Sequence, residues 1–285
     1  MIPSLIRLGH SPDPDDAFMW YALARNRIET RGFRFQHVIE DIEHLNRRAV
    51  AGELEVTALS IHAYAHVSAR YVLLPHGASM GDGYGPLVVS RTPLSPQELP
   101  GKTVAIPGRL TSALLALRLF QPRVRTVEMP FHRIPEAVAR GEAEAGLLIH
   151  EAQLTYPSLG LHRVVDLGAW WKQTTGLPLP LGGNAVRRDL GRETIARLSP
   201  VLKASIAYGL HHRAEALAYA LQYARGLDRD TADRFVGLYV NRYTLDYGPE
   251  GREAIRVFLD RAFQAGLLPQ RVAVEFADSR SPEPD

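Results

Sequence analysis

Apolar residues follow two rhythms along this chain. Short apolar or alternating runs at 5–9, 33–39, 56–59, 71–75, 86–90, 102–106, 124–129 and 147–150 read as strands. Apolar positions spaced by three and four at 17–25, 42–51, 61–67, 111–120 and 134–141 read as helices between them. The β-α-β-α-β order from 102 to 150 implies parallel strands joined by right-handed crossovers. From 191 to 266 the rhythm is helical throughout, with helices expected at 193–210, 213–225, 230–239 and 249–266. Breakers agree with these limits. Asp13 and Pro14 suit an N-cap and a first helical residue, and Gly52 closes the helix before it.

Two proline-rich connectors, 92–101 and 176–183, interrupt this order, and a strand resumes at 184–187. They divide the chain into a larger lobe of residues 1–92 plus 184–275 and a smaller inserted lobe of residues 93–183. The polar end, 277–285, holds Pro and Ser and is expected to be disordered. The fold class is therefore α/β, with a sheet in each lobe and a helical C-terminal segment. Two connectors flanking an inserted α/β lobe resemble the type 2 periplasmic-binding-protein fold, whose lobes close on a ligand by a hinge.

Composition narrows the chemistry. Lys and Arg total 33 against 31 Asp and Glu, a net charge of +2, which gives no electrostatic case for nucleic acid or an anionic membrane as partner. There is no cysteine, so disulfides, thiolate nucleophiles and thiolate-held metals are excluded. The start lacks the pattern of an export signal, and no apolar stretch is long enough for a membrane span, so a cytoplasmic location is expected.

Candidate chemistry gathers where strands end. The run Ala145-Gly146-Leu147-Leu148-Ile149 stops at His150, and ligands in open α/β sheets bind beyond the carboxyl ends of strands. His150 is a candidate general base, although a strand-end histidine bonded to backbone is the plainer reading. Ser60 follows one strand, and Thr111 and Ser112 follow another; each sits at a turn into a helix. Unpaired N–H groups there suit a carboxylate, and plain N-capping suits them equally. Asp13, Asp15 and Asp16 read as helix capping rather than a cation site. His62 and His66, four apart, are expected to face solvent, with no metal site. Trp170 and Trp171 either wall an aromatic ligand or pack the lobe.

Six segments carry a narrower resemblance: LGHSPDPDDAFMWYAL, EDIEHLNRRA, GYGPLVVSR, VAIPGRLTSA, GEAEAGLLIHEAQLTYPSLGL and VVDLGAWWKQTTGLPLPLG. They resemble the 1,4-dihydroxy-6-naphthoate synthase family of the futalosine route to menaquinone, over most of the chain. The resemblance implies a lyase without a cofactor. It would convert cyclic dehypoxanthine futalosine, a small-molecule carboxylate, to 1,4-dihydroxy-6-naphthoate and dihydroxyacetone. It implies His150 as catalytic base and Ala58, Leu59, Ser60, Thr111, Ser112, Asn46 and Asp16 as substrate-binding residues. A homodimer is compatible with it. The family commonly has Ser-Pro-Cys-Pro-Asn-Asp-Thr-Phe where this chain has residues 11–18, and Lys-Leu-Ser where it has Ala58-Leu59-Ser60. A chorismate dehydratase of the same pathway and a cytosolic carboxylate-binding protein remain the alternatives.

Overall fold

The computed structural model describes residues 5–223 and 228–278. The chain begins with β1 (Leu5–His10), α1 (Pro14–Ala24), β2 (Arg34–Ile39), α2 (Ile42–Ala51), β3 (Val56–Ser60), α3 (Ile61–Val67), β4 (Tyr71–Leu73) and β5 (Ser79–Gly81). It crosses to β6 (Leu87–Ser90), β7 (Thr103–Ile106), α4 (Ser112–Phe120), β8 (Arg125–Glu128), α5 (Ile134–Ala139), β9 (Ala145–Leu148), α6 (Ala152–Thr155), β10 (His162–Asp166) and α7 (Leu167–Thr175). It returns through β11 (Leu179–Arg187) and ends in α8 (Arg192–His211), α9 (Arg213–Ala220), α10 (Arg229–Tyr239), α11 (Arg242–Leu245) and α12 (Gly248–Gln264).

The two sheets are both mixed. The first runs β2-β1-β3-β11-β4, with β5 also on β11. β1 is parallel to β2 and β3, whereas β11 is antiparallel to its partners. The second runs β10-β6-β9-β7-β8. There β7, β8 and β9 are parallel, as the crossover rhythm predicts, and β6 and β10 add an antiparallel edge. Local chemistry sets the helix limits. Asp41 accepts from the N–H groups of Glu43 and His44, and Gly52 ends α2 in the left-handed region at φ 74°. α1 is apolar on almost every side and is buried between the sheet and the C-terminal helices.

Ile6, Leu8, Trp20, Val56 and Val186 form a core with Leu198, Leu202 and Ile206 of α8. A second core joins the lobes, carrying Tyr64 and Leu73 of one with Val104, Leu115 and Trp171 of the other. Phe258 of α12 closes it against Trp171, ring centroids 5.3 Å apart.

Three expectations need correction. Leu87–Ser90, expected in the larger lobe, pairs with β9 and β10 in the second sheet, and Leu179–Gly183, expected in the smaller lobe, pairs in the first. The Pro and Gly residues near 180 are a strand with an irregularity between Pro180 and Gly182, not a free connector. The polar end is ordered at its start: Ala277 N–H donates to Leu73 O, and Asp278 pairs with Arg252. Residues 279–285 of that expected tail lie outside the described residues. No helix among the described residues is long and apolar enough to cross a membrane.

Candidate active site

A cavity lies between the lobes, walled by residues of both. Residues following β1, β3, β7 and β9 line it, as the topology of an open α/β sheet requires. Ala58, Leu59, Ser60, Thr111, Ser112, Asp16 and His150 all lie on its wall. Asn46 does not. It is fully buried behind the wall, where Nδ2 donates to Ser60 Oγ (3.1 Å) and Oδ1 accepts from Ser60 N–H (2.8 Å). Its place is that of a clamp on Ser60 rather than a substrate contact, because both ends of its amide are engaged.

The hydroxyls differ in what they have left to give. Thr111 Oγ1 donates to Gly108 O (2.9 Å) and accepts from Leu114 N–H (3.3 Å), so its proton is committed to the cap of α4. Ser112 Oγ accepts from His62 N–H (3.1 Å), and Ser60 Oγ accepts from Asn46. Both keep a proton to donate. The N-terminus of α4 adds backbone N–H groups and a positive partial charge. No Lys or Arg is among the described residues lining the cavity, so a bound carboxylate would rest on neutral donors.

The acidic turn is more than a helix cap. Asp13 makes no side-chain cap bond. Its Oδ2 lies 3.2 Å from His150 Nδ1, across from the other lobe. Asp16 Oδ2 accepts from Ser11 N–H at 2.7 Å. Burial raises the Asp16 carboxyl to about 6; the Ser11 bonds and His150 oppose the rise, and the charge of Asp13 adds to it. Burial, then the charges of Asp16 and Asp13, hold Asp15 well above the usual carboxylate range. Asp15 Oδ1 is buried without a hydrogen bond. A neutral carboxyl at this wall can donate a hydrogen bond.

His150 is not the last residue of its strand. β9 stops at Leu148, and His150 sits two residues on at φ +54°, the left-handed region that non-glycine residues enter at a cost of roughly 1–2 kcal/mol. Such backbone outliers cluster at functional sites. Phe131 meets the imidazole edge-on, centroids 4.8 Å apart. Just beyond, Gln153 on α6 accepts from the Tyr239 hydroxyl of α10 at 2.8 Å, and both line the cavity.

Sequence reasoning missed Asp13 as a partner, and Gln153, Phe235 and Tyr239 as wall residues. The missing cap bond is invisible in sequence, Phe235 and Tyr239 come from a segment distant in the chain, and Gln153, three residues after His150, carries no local signal that it faces the cavity. His62, expected in solvent, is buried beside Thr111, and burial, with His66 nearby, lowers it to about 4. Trp171 is fully buried, donates Nε1–H to Pro178 O and packs the lobes, and Trp170 packs on Phe120; neither lines the cavity. No cluster of three metal-binding side chains occurs among the described residues.

Comparison with known proteins places this architecture. A family model described as menaquinone biosynthesis matches residues 6–264. The chain is 47% identical over 262 residues to a 1,4-dihydroxy-6-naphtoate synthase of Thermus thermophilus, covering 92% of this chain and 95% of the relative. It is 38% identical over 275 residues to the synthase of that name from Streptomyces coelicolor, covering 94% and 96%. The crystal structure of protein AF1704 from Archaeoglobus fulgidus superposes with a TM-score of 0.90 at 47% identity, over 94% of this chain and all of that one. The alkanesulfonate-binding protein SsuA from Xanthomonas axonopodis pv. citri, bound to MOPS, superposes at 0.69 with 14% identity over 96% and 97%. That likeness concerns the periplasmic-binding-protein fold alone.

Proposed function

The chain belongs to the menaquinone-biosynthesis family, and from that premise we propose that it is a 1,4-dihydroxy-6-naphthoate synthase. On this reading it is a carbon–carbon lyase that cleaves cyclic dehypoxanthine futalosine to 1,4-dihydroxy-6-naphthoate and dihydroxyacetone. It works in the cytoplasm on a small carboxylate and without a cofactor. One observation carries the reading: a strained histidine on the wall of an interlobe cavity, with neutral hydrogen-bond donors on the same wall.

The donors suit the carboxylate of the naphthoate. Ser60 and Ser112 offer hydroxyl protons, and the α4 terminus offers N–H groups and a partial positive charge. Ala58 brings no charge, so these groups replace the ammonium that the family commonly places there. His150 removes a hydroxyl or carbon-bound proton, which starts the cleavage, and aromatisation of the ring supplies driving force. A positioned base contributes about 10²–10⁴ in rate.

The test is turnover. Purified protein given cyclic dehypoxanthine futalosine should release 1,4-dihydroxy-6-naphthoate and dihydroxyacetone in equal amounts, followed by chromatography. Absence of both products with folded protein and authentic substrate defeats the proposal. Consumption of chorismate instead would assign the chain to the other enzyme of the route.

A further inference from the structure

We infer that Asp13 is a positioning residue that orients the His150 imidazole, and that this Asp13–His150 pair is assembled only when the two lobes close. The inference rests on the proposed role of His150 as base.

Asp13 ends the turn that enters α1 in the first lobe, and His150 follows β9 in the second. Their 3.2 Å approach therefore spans the cleft. Both side chains are secluded, with relative exposures of 16% for His150 and 3% for Asp13, so the contact is little screened by solvent. An ionised carboxylate only accepts hydrogen bonds. At this ion-pair distance the charge of the carboxylate favours the ring proton on Nδ1, which directs the Nε2 lone pair to the substrate proton. After that transfer the imidazolium lies beside an anion, which stabilises the charge that forms. Phe131, packed against the ring from the same lobe, limits its tilt.

The turn is shaped for this task. Asp13 occupies the N-cap position of α1 with extended backbone, φ −75° and ψ 150°, yet its carboxylate does not cap the helix. Pro14 needs no N–H partner at N1, and Asp13 N–H donates to Ser11 Oγ at 3.2 Å. The carboxylate is thus released from the usual N-cap duty and turned to the other lobe. Hinge opening carries the two residues apart with their lobes and leaves the base without its orienting partner. Proton abstraction is then confined to the closed, substrate-filled state.

Asp13→Asn keeps the size and removes the charge. Other ionisable groups near His150 are Asp15 and Asp16 on α1, Glu151 beside it, His132 next to Phe131, and the Tyr239 phenol on α10. The substitution leaves all of them in place. NMR of ¹³C-labelled histidine, with the His150 signal assigned by its loss in His150→Asn, follows the ring's titration. The expected result is a midpoint at lower pH in Asp13→Asn, and at least partial return in Asp13→Glu. Turnover of cyclic dehypoxanthine futalosine should show kcat lowered at least tenfold in Asp13→Asn, with KM changed less than threefold. An unmoved midpoint overturns the pairing, and an unchanged kcat overturns the positioning role. If the parent protein itself is inert on this substrate, the proposed reaction fails, and the titration decides the pairing alone.

Discussion

At the scale of single residues, His150 combines two properties that are usually kept apart. It holds a backbone conformation suited to Gly or Asn, and it carries an imidazole. His150→Asn separates them, because asparagine tolerates the left-handed region better than other residues with a Cβ. The variant should retain the parent's melting temperature within a degree or two and lose at least a hundredfold in kcat on cyclic dehypoxanthine futalosine. Thermal melts and steady-state rates check both parts. Activity within tenfold of the parent would remove His150 as the base. His150 was legible in sequence because an apolar run ended on it. Its backbone strain and its partner Asp13 were not, since one depends on the turn after β9 and the other on contact between lobes. Asn46 was marked by the family resemblance as substrate-binding, whereas its place in a helix alone suggested a solvent-facing side chain. Its burial behind Ser60 follows from how α2 packs on β3.

Among the elements, the approach of α2 to the loop between β7 and α4 holds the lobes together away from the crossings. Glu43 Oε2 accepts from Leu110 N–H at 3.1 Å, and Arg47 pairs with Glu128 at 2.6 Å. The exposed Arg47 pair is worth about 0–1 kcal/mol at most. The Glu43 contact is more buried, and it exists because residue 108 is glycine: a Cβ there would collide with Glu43 Oε2 and lie 2.7 Å from its Cγ. Gly108→Ala should therefore wedge the lobes apart, raising KM about tenfold or more while leaving the fold intact. Steady-state kinetics measures it, and an unchanged KM would show that this contact does not govern closure. The sequence located α2 and α3 to the residue, because caps and amphipathic spacing are local signals. It read β11 too short and passed over β5, β10 and α7. Pro180, Gly182 and Gly183 carry the signature of a loop, and only pairing with β3 and β5 makes a strand of them.

For the whole molecule, the balance of buried titratable groups sets how stability responds to acid. Burial lowers His10, His62 and His76 to about 4 each; His37, His66 and Lys203 respectively add to the fall. These groups are neutral in the fold and protonated in the unfolded chain below about 6.5, so their contribution is lost as pH falls from about 6.5 through 4. Asp15 and Asp16 act in the opposite sense. Their folded carboxyls hold protons that the unfolded chain releases, so their contribution is complete below 3.8 and, for Asp16, lost as pH rises through about 6. Between pH 4.5 and 6 the buried histidines, with His37 and His66 also lowered by burial, favour the fold at higher pH, and the raised carboxyls, with Glu43 and Asp166 among them, favour it at lower pH. The slope of stability against pH in this range is the difference between these two opposing sets. Urea unfolding at half-unit steps measures this slope directly. Asp15→Asn removes one opposing group, so its slope should become more positive than the parent's. The variant should also melt above the parent at pH 8, where the parent holds Asp15 in a buried, negatively charged neighbourhood, and close to it at pH 4. A slope that Asp15→Asn leaves unchanged would mean that Asp15 is ionised in the fold at pH 5, and it would withdraw the neutral donor assigned to this wall of the cavity.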